Sequence, residues 1–215
     1  MDLLTLSLPS LLGGLAVTVL LGVVSFALGS VLGGLVTLAR ISRHRALRVA
    51  AAAYVSVFRG TPLLIQIMLV YFGLPQLGIQ LPPIPSAILT LTLYAGAYLS
   101  ENLRGGILSV DRGQWEAAGS MGMTYGRALR RVVLPQAVRV ATPAIGGRFV
   151  SLMKDTSLAS VITVVELTRV AESAGSSSFR YVEAFVMAGI VYWLVNTTLS
   201  VGQEVLERRM GRAYT

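Results

Sequence analysis

Residues 11–39 read LLGGLAVTVLLGVVSFALGSVLGGLVTLA, twenty-nine positions without a charge. The hydrocarbon core of a bilayer is about 30 Å thick, and a helix crosses it with about 20 apolar residues. This run is long enough to span it. In lipid a helix satisfies its own backbone donors and acceptors, so a helix is the form such a run takes there. Ser25, Gly29 and Gly33 recur at four-residue spacing within it. That places small side chains on one face, where a neighbouring helix can approach closely.

Four further apolar stretches follow, at about Val49–Leu74, Pro85–Leu103, Val140–Val165 and Tyr181–Gly202. The expectation is an all-α integral membrane bundle of about five transmembrane helices, forming a single transmembrane domain over residues 1–215. Composition agrees: 54% of residues are hydrophobic, 13% are charged and mean hydropathy is +0.70. A soluble domain carries about a quarter charged residues. The first 38 residues begin with Asp2, lack a basic start and exceed an h-region in length, so they are not read as a cleavable signal peptide.

The chain has no cysteine, which excludes disulfides and thiolate metal sites. Its one histidine, His44, stands among Arg43, Arg45 and Arg48, whose charges repel a cation, so no metal site is expected. The net charge of +8 would suggest nucleic acid in a soluble protein. Here the arginines fall between apolar stretches, as topology signals do. Arg40, Arg43, Arg45 and Arg48 follow the first stretch. Arg104, Arg112, Arg127, Arg130, Arg131 and Arg139 lie between the third and fourth, and Arg208, Arg209 and Arg212 follow the fifth. Two spans separate each basic region from the next, so all share one side. The positive-inside rule places that side, and the C-terminus, in the cytoplasm and the N-terminus outside.

The longest polar stretch, Leu103–Val140, falls on that cytoplasmic side. Glu116-Ala117-Ala118 favours a helix, Gly122 ends or bends it, and a second short helix follows with Arg127, Arg130 and Arg131 on its exposed side. Pro135 is expected to stop that helix before the next span. The product is a small, basic elbow suited to a groove on a soluble partner.

Glu116-Ala117-Ala118, then Gly122, then Val132-Val133-Leu134-Pro135 resembles the coupling loop of binding-protein-dependent ABC importer permeases, with Val132 where isoleucine is more usual. Phe58-Arg59-Gly60-Thr61-Pro62-Leu63-Leu64 with Tyr71-Phe72-Gly73 resembles the second span of the polar amino-acid uptake subfamily. Gly96-Ala97-Tyr98, Glu101 and Arg104-Gly105-Gly106 resemble its third. Leu152 to Ile162 resembles its fourth. The resemblance implies a type I importer permease fold with a coupling loop at about 104–139, in which Glu116, Ala117, Ala118, Gly119, Gly122, Leu134 and Pro135 meet the ATPase. It also implies partners: two ATP-binding-cassette subunits, a second permease subunit (a copy or a relative) and an extracytoplasmic amino-acid-binding protein. ATP and Mg would be bound by the ATPase chains, with no cofactor on this one. A phosphate-cradling loop needs Gly-Lys followed by Ser or Thr. The only lysine is Lys154, and Met153 precedes it.

Ionisable groups within spans mark pathways or partners. Lys154-Asp155-Thr156-Ser157 could meet both charges of a zwitterionic amino acid, or form an internal or intersubunit pair. Arg59 precedes Gly60-Thr61-Pro62, a sequence that should interrupt its helix. Arg59 and Thr61 are candidate substrate contacts, and Arg59 is alternatively a partner for Glu101. Glu101 and Arg104, at i, i+3, can pair on one helix face, while Glu101 also remains a substrate candidate. Arg148 follows Gly146-Gly147, near where the subfamily more often has Asn followed by Gln or Glu, and the added positive charge could favour an anionic substrate or face the cytoplasm. Glu166–Arg180, with its Gly-Ser run, reads as an outer loop: a docking surface for a binding protein or a flexible connector. A secondary transporter or channel using ion gradients through Asp155 or Glu101 is the alternative function. No Ser/His, Cys/His or paired-aspartate arrangement suggests catalysis.

Overall fold

A computed structural model describes residues 3–211; Asp2 and Arg212, used above for start and topology signals, lie outside them. The described residues form helices: α1 Leu3–Arg40, α2 Arg45–Gly60, α3 Leu63–Met68, α4 Pro83–Ser109, α5 Arg112–Ser120, α6 Tyr125–Ala128, α7 Leu134–Asp155, α8 Leu167–Ser178 and α9 Tyr181–Gly211. Pro9–Arg40 and Tyr181–Arg208 are each long and apolar enough to cross a membrane. The broken pair Arg45–Gly60 and Leu63–Leu77, bent by 107°, adds one more if it counts as one span. Length and apolarity alone therefore mark two or three spans, where the sequence suggests about five. α4 and α7 are long but carry Glu101 and Arg104, and Arg139, Arg148, Lys154 and Asp155, respectively.

α1 packs along α4 through its small-residue face. A Cβ added at Gly29 would lie 2.8 Å from the Ala95 Cβ, and one at Gly33 would lie 2.9 Å from the Leu99 Cβ. These approaches bury Leu21, Leu91, Leu99 and Leu152 in the central core. At the elbow end, Ile107, Val133 and Ala137 form a second cluster with Ile41 and Trp115 against it. Gly106 allows this contact, since a methyl there would collide with the Ala137 carbonyl oxygen.

Two local expectations need correction. Pro135 does not stop the elbow's second helix. α6 runs through a π-helical segment, Leu129–Val133, straight into α7, with Pro135 in the first turn of α7. Proline has no N–H to give to the preceding turn, and the widened hydrogen-bond ring absorbs that loss without breaking the rod. Nor is Glu166–Arg180 a connector, because most of it is α8. Glu166 caps that helix, its carboxylate accepting from the Thr168 and Arg169 amides at 2.9 and 2.8 Å. Leu167, Val170 and Ala171 pack with Leu11, Ala184 and Ala188. Gly175 leaves space for the Tyr181 ring, so tertiary packing overrides the weak propensity of the Gly-Ser run. Burial pushes the Glu166 carboxyl above its ordinary range, against the pull of its amide donors and the Tyr192 hydroxyl.

Candidate functional site: an exposed elbow and a charge ladder on α4

The elbow is built from local signals and then braced. Asp111 caps α5, its carboxylate accepting from the Gly113 amide at 2.7 Å. At the other end Gly122 takes φ +73. Its amide donates to the Gly119 carbonyl at 2.9 Å and that of Met123 to the Ala118 carbonyl at 3.1 Å, a left-handed helix stop. Ala118 is buried, while Glu116, Ala117 and Gly119 face out. Glu116 is 69% exposed and, among the described residues, pairs with Arg112 at 3.2 Å. The Trp115 and Tyr125 rings stack at 5.2 Å, and the Arg43 guanidinium lies 5.8 Å from the Tyr125 centroid. The Gln136 amide donates to Gln114 at 3.1 Å, tying α5 to the start of α7. Leu134 is half-buried and Pro135 exposed. Arg127, Arg130 and Arg131 line an open basic hollow of about 640 Å³ with Thr124 and Gly126.

The second feature runs along α4. Tyr94, Tyr98 and Glu101, spaced i, i+4, i+7, share one face. Glu101 receives Arg104 at 2.8 Å, Arg40 from the end of α1 at 3.0 Å and Arg59 from the end of α2 at 3.5 Å. One carboxylate thereby ties three helices. Tyr98 is next along the face, with the Arg59 guanidinium 5.2 Å from its centroid and that of Arg148 at 4.5 Å. Arg148 also lies 4.6 Å from the Tyr94 centroid and reaches Asp155 at 2.6 Å.

The motif at the end of α7 is divided by helix geometry. Consecutive helical residues diverge by about 100°, so Lys154 is exposed while Asp155 turns toward Arg148. A 3-10 segment, Thr156–Ile162, follows and breaks the regular helix where the sequence anticipates it. Thr156 is fully buried, its hydroxyl donating to the Met153 carbonyl at 2.8 Å. The Ser157 hydroxyl donates to the Lys154 carbonyl at 2.7 Å. In α2 the helix ends at Gly60 and restarts at Leu63, as the Gly-Thr-Pro sequence requires. Thr61 donates to the Val57 carbonyl and accepts from Gln66 at 2.8 Å. The structure thus joins Arg59 with Glu101 and pairs Asp155 with Arg148, leaving the neighbouring Lys154 exposed. Sequence reasoning missed Tyr94 and Tyr98 as the platform for Arg148, and Arg40 as a partner of Glu101. The tyrosine pair at i, i+4, with Glu101 at i+7 on the same face, was the available signal.

The chain is similar to known proteins over most of its length. The family model described as binding-protein-dependent transport system inner membrane component matches residues 27–212. The L-cystine transport system permease protein TcyB of Bacillus subtilis (strain 168) is 44% identical over 205 residues, 95% of this chain and 88% of that protein. The arginine transport system permease protein ArtQ of the same organism is 39% identical over 204 residues, 94% of this chain and 93% of that one. A solved structure described as an amino acid ABC transporter with histidines superposes with a TM-score of 0.92 at 35% identity, covering 97% of this chain and 99% of that one.

Proposed function

The chain belongs to the family of binding-protein-dependent transport system inner membrane components, and we propose that it is the permease subunit of an ATP-driven importer of polar amino acids. The observation that carries the mechanism is the elbow. α5 presents Glu116 and Ala117 outward, is anchored by Ala118, and connects through the unbroken rod α6–α7 to Arg148 and Asp155. A packed helical rod transmits displacement along its length rather than absorbing it. Movement of α5 by a partner would therefore be felt at the charge pair. Closure of the ATPases on ATP shifts a two-state equilibrium between outward and inward access.

In this reading two ATP-binding-cassette subunits grip the elbow and hold the ATP and Mg, so hydrolysis belongs to those chains. A second permease subunit completes the pathway, and an extracytoplasmic binding protein delivers the amino acid. About five spans set the N-terminus outside and the C-terminus and elbow in the cytoplasm. The basic elbow supports this orientation. Asp155, Lys154, Arg59 and Thr61 face the path. Thr156 and Ser157 shape the break beneath it, and Glu101 anchors the bundle.

The test is reconstitution with an ATP-binding-cassette ATPase and an amino-acid-binding protein from the same organism, measuring which amino acids stimulate ATP hydrolysis. Stimulation by polar amino acids is expected. Gradient-driven amino-acid uptake without any ATPase would contradict it.

A further inference from the structure

The Arg148 side chain is 11% exposed and lies deep against the α4 face, between the Tyr94 and Tyr98 rings. A guanidinium held this way is fixed in plane and weakly hydrated. Its Nη2 meets Asp155 Oδ2 at 2.6 Å, but its buried Nε has no hydrogen-bond partner. Nε–H and Nη2–H form one edge of the guanidinium, the edge that grips a carboxylate with two parallel hydrogen bonds. Asp155 uses half of it. A buried, unpaired donor is costly, and here it lies next to a carboxylate that has not taken it.

Asp155 is itself 28% exposed, beside the exposed Lys154 and at the break where α7 gives way to the 3-10 segment. The pair is therefore accessible at one edge. Among the described residues Arg148–Asp155 is the one ion pair that either partner makes, whereas Glu101 makes three; the neighbouring Lys154 adds only a nearby positive charge to Asp155.

We propose that Arg148 and Asp155 are the headgroup site for the transported amino acid: the pair opens, Arg148 takes the substrate carboxylate through Nε and Nη2, and Asp155 takes its ammonium. This deepens the permease reading and rests on it. A ligand with one charge would leave one member of the pair unpaired in a poorly solvated place. A zwitterion replaces both partners at once, so exchange costs little and selects for the α-amino acid headgroup. Tyr94 and Tyr98 keep the guanidinium in place while its partner changes. Side-chain selectivity then lies with other residues, and the pair reads what all amino acids share.

The test uses the permease–ATPase complex in nanodiscs without the binding protein. Equilibrium binding is measured for L-cystine, L-arginine and L-glutamine. The tightest ligand is then compared with its methyl ester, which lacks the carboxylate, and its N-acetyl derivative, which lacks the ammonium. The wild-type complex should bind each derivative at least tenfold more weakly than the parent. Arg148→Gln should bring the ester within about threefold of the amino acid, and Asp155→Asn should do the same for the N-acetyl derivative. Arg148→Lys keeps the charge and the pairing, so it guards against a variant that fails to fold. It should assemble normally yet bind the amino acid at least fivefold more weakly, because an ammonium has no two-donor edge. The reversed double variant, Arg148→Asp with Asp155→Arg, should recover the melting temperature lost by either single change but not binding. Wild-type discrimination in all the single variants, or binding recovered together with melting temperature in the reversed one, would make the pair structural only. A wild-type complex that binds none of the three amino acids would instead overturn the amino-acid permease reading itself.

Discussion

Glu101 and Asp155 lie on neighbouring helices and serve different ends. Glu101 is 16% exposed and surrounded by Arg40, Arg59 and Arg104, contributed by three helices. Its loss would leave three guanidiniums facing one another. Asp155 has one guanidinium, from its own helix two turns back, and that guanidinium rests on aromatic faces rather than on further charge. The first carboxylate is over-determined and acts as a rivet. The second has one ion-pair partner among the described residues, with Lys154 adding only a nearby charge, and in our proposal that partner is exchanged for substrate. Tyr98 joins the two, with Arg59 on it from one cluster and Arg148 from the other.

The largest effect should follow from breaking the rivet. Glu101→Gln removes the only acid among three cations and should cost about 2 kcal/mol of complex stability. That is below the ~3–5 of a fully buried pair because the guanidiniums keep some solvent. Thermal melting of the purified complex measures it, and Asp155→Asn should melt closer to wild type. A larger melting loss for Asp155→Asn would reverse the assignment of the two roles.

Removing the shared ring comes next. Tyr98→Leu should cost about 1–2 kcal/mol through two cation–π contacts. A double-mutant cycle with Arg148→Gln should show coupling, as should one with Arg59→Gln. Additive effects would mean that the ring is mere filler.

A smaller loss, about 1 kcal/mol, is expected for Gly33→Ala. The new methyl meets Leu99 and the Gly96 carbonyl, pushing α1 off α4 and Arg40 away from Glu101. Melting and complex yield report it, and no change would mean that α1 can shift freely.

The smallest stability effect belongs to Glu116→Lys, which loses only an exposed i, i+4 pair worth about 0.3–0.5 kcal/mol. Its functional effect should be large all the same: loss of amino-acid-stimulated ATP hydrolysis in a complex that melts normally. Intact stimulation would remove Glu116 from the coupling contact.

The elbow was legible because its signals are local. A glycine that adopts positive φ, an acidic cap and a run of helix formers act within a few residues. Pro135 misled because a proline can be absorbed by a π-helical widening as well as by a helix end, and sequence does not say which. The Gly-Ser run misled because α8 is held by Leu11 and Ala184, residues distant in sequence. The ion pairs were half legible. Glu101–Arg104 follows from helical spacing, whereas Arg40 and the Tyr94–Tyr98 platform depend on how α1, α2, α4 and α7 pack. Lys154 and Asp155 stand side by side in the sequence, whereas the Arg148 partner of Asp155 lies two helical turns back and was not read as its partner.

The chain's lack of cysteine allows a direct test of the elbow as the point of attachment. Ala117→Cys introduces a single exposed thiol, which can carry a thiol-anchored photo-crosslinker in the assembled transporter. The account predicts a crosslink to the ATP-binding-cassette subunit and no labelling of that thiol by an impermeant maleimide added outside intact cells. Labelling from outside, or a crosslinker that never captures the ATPase, would contradict it.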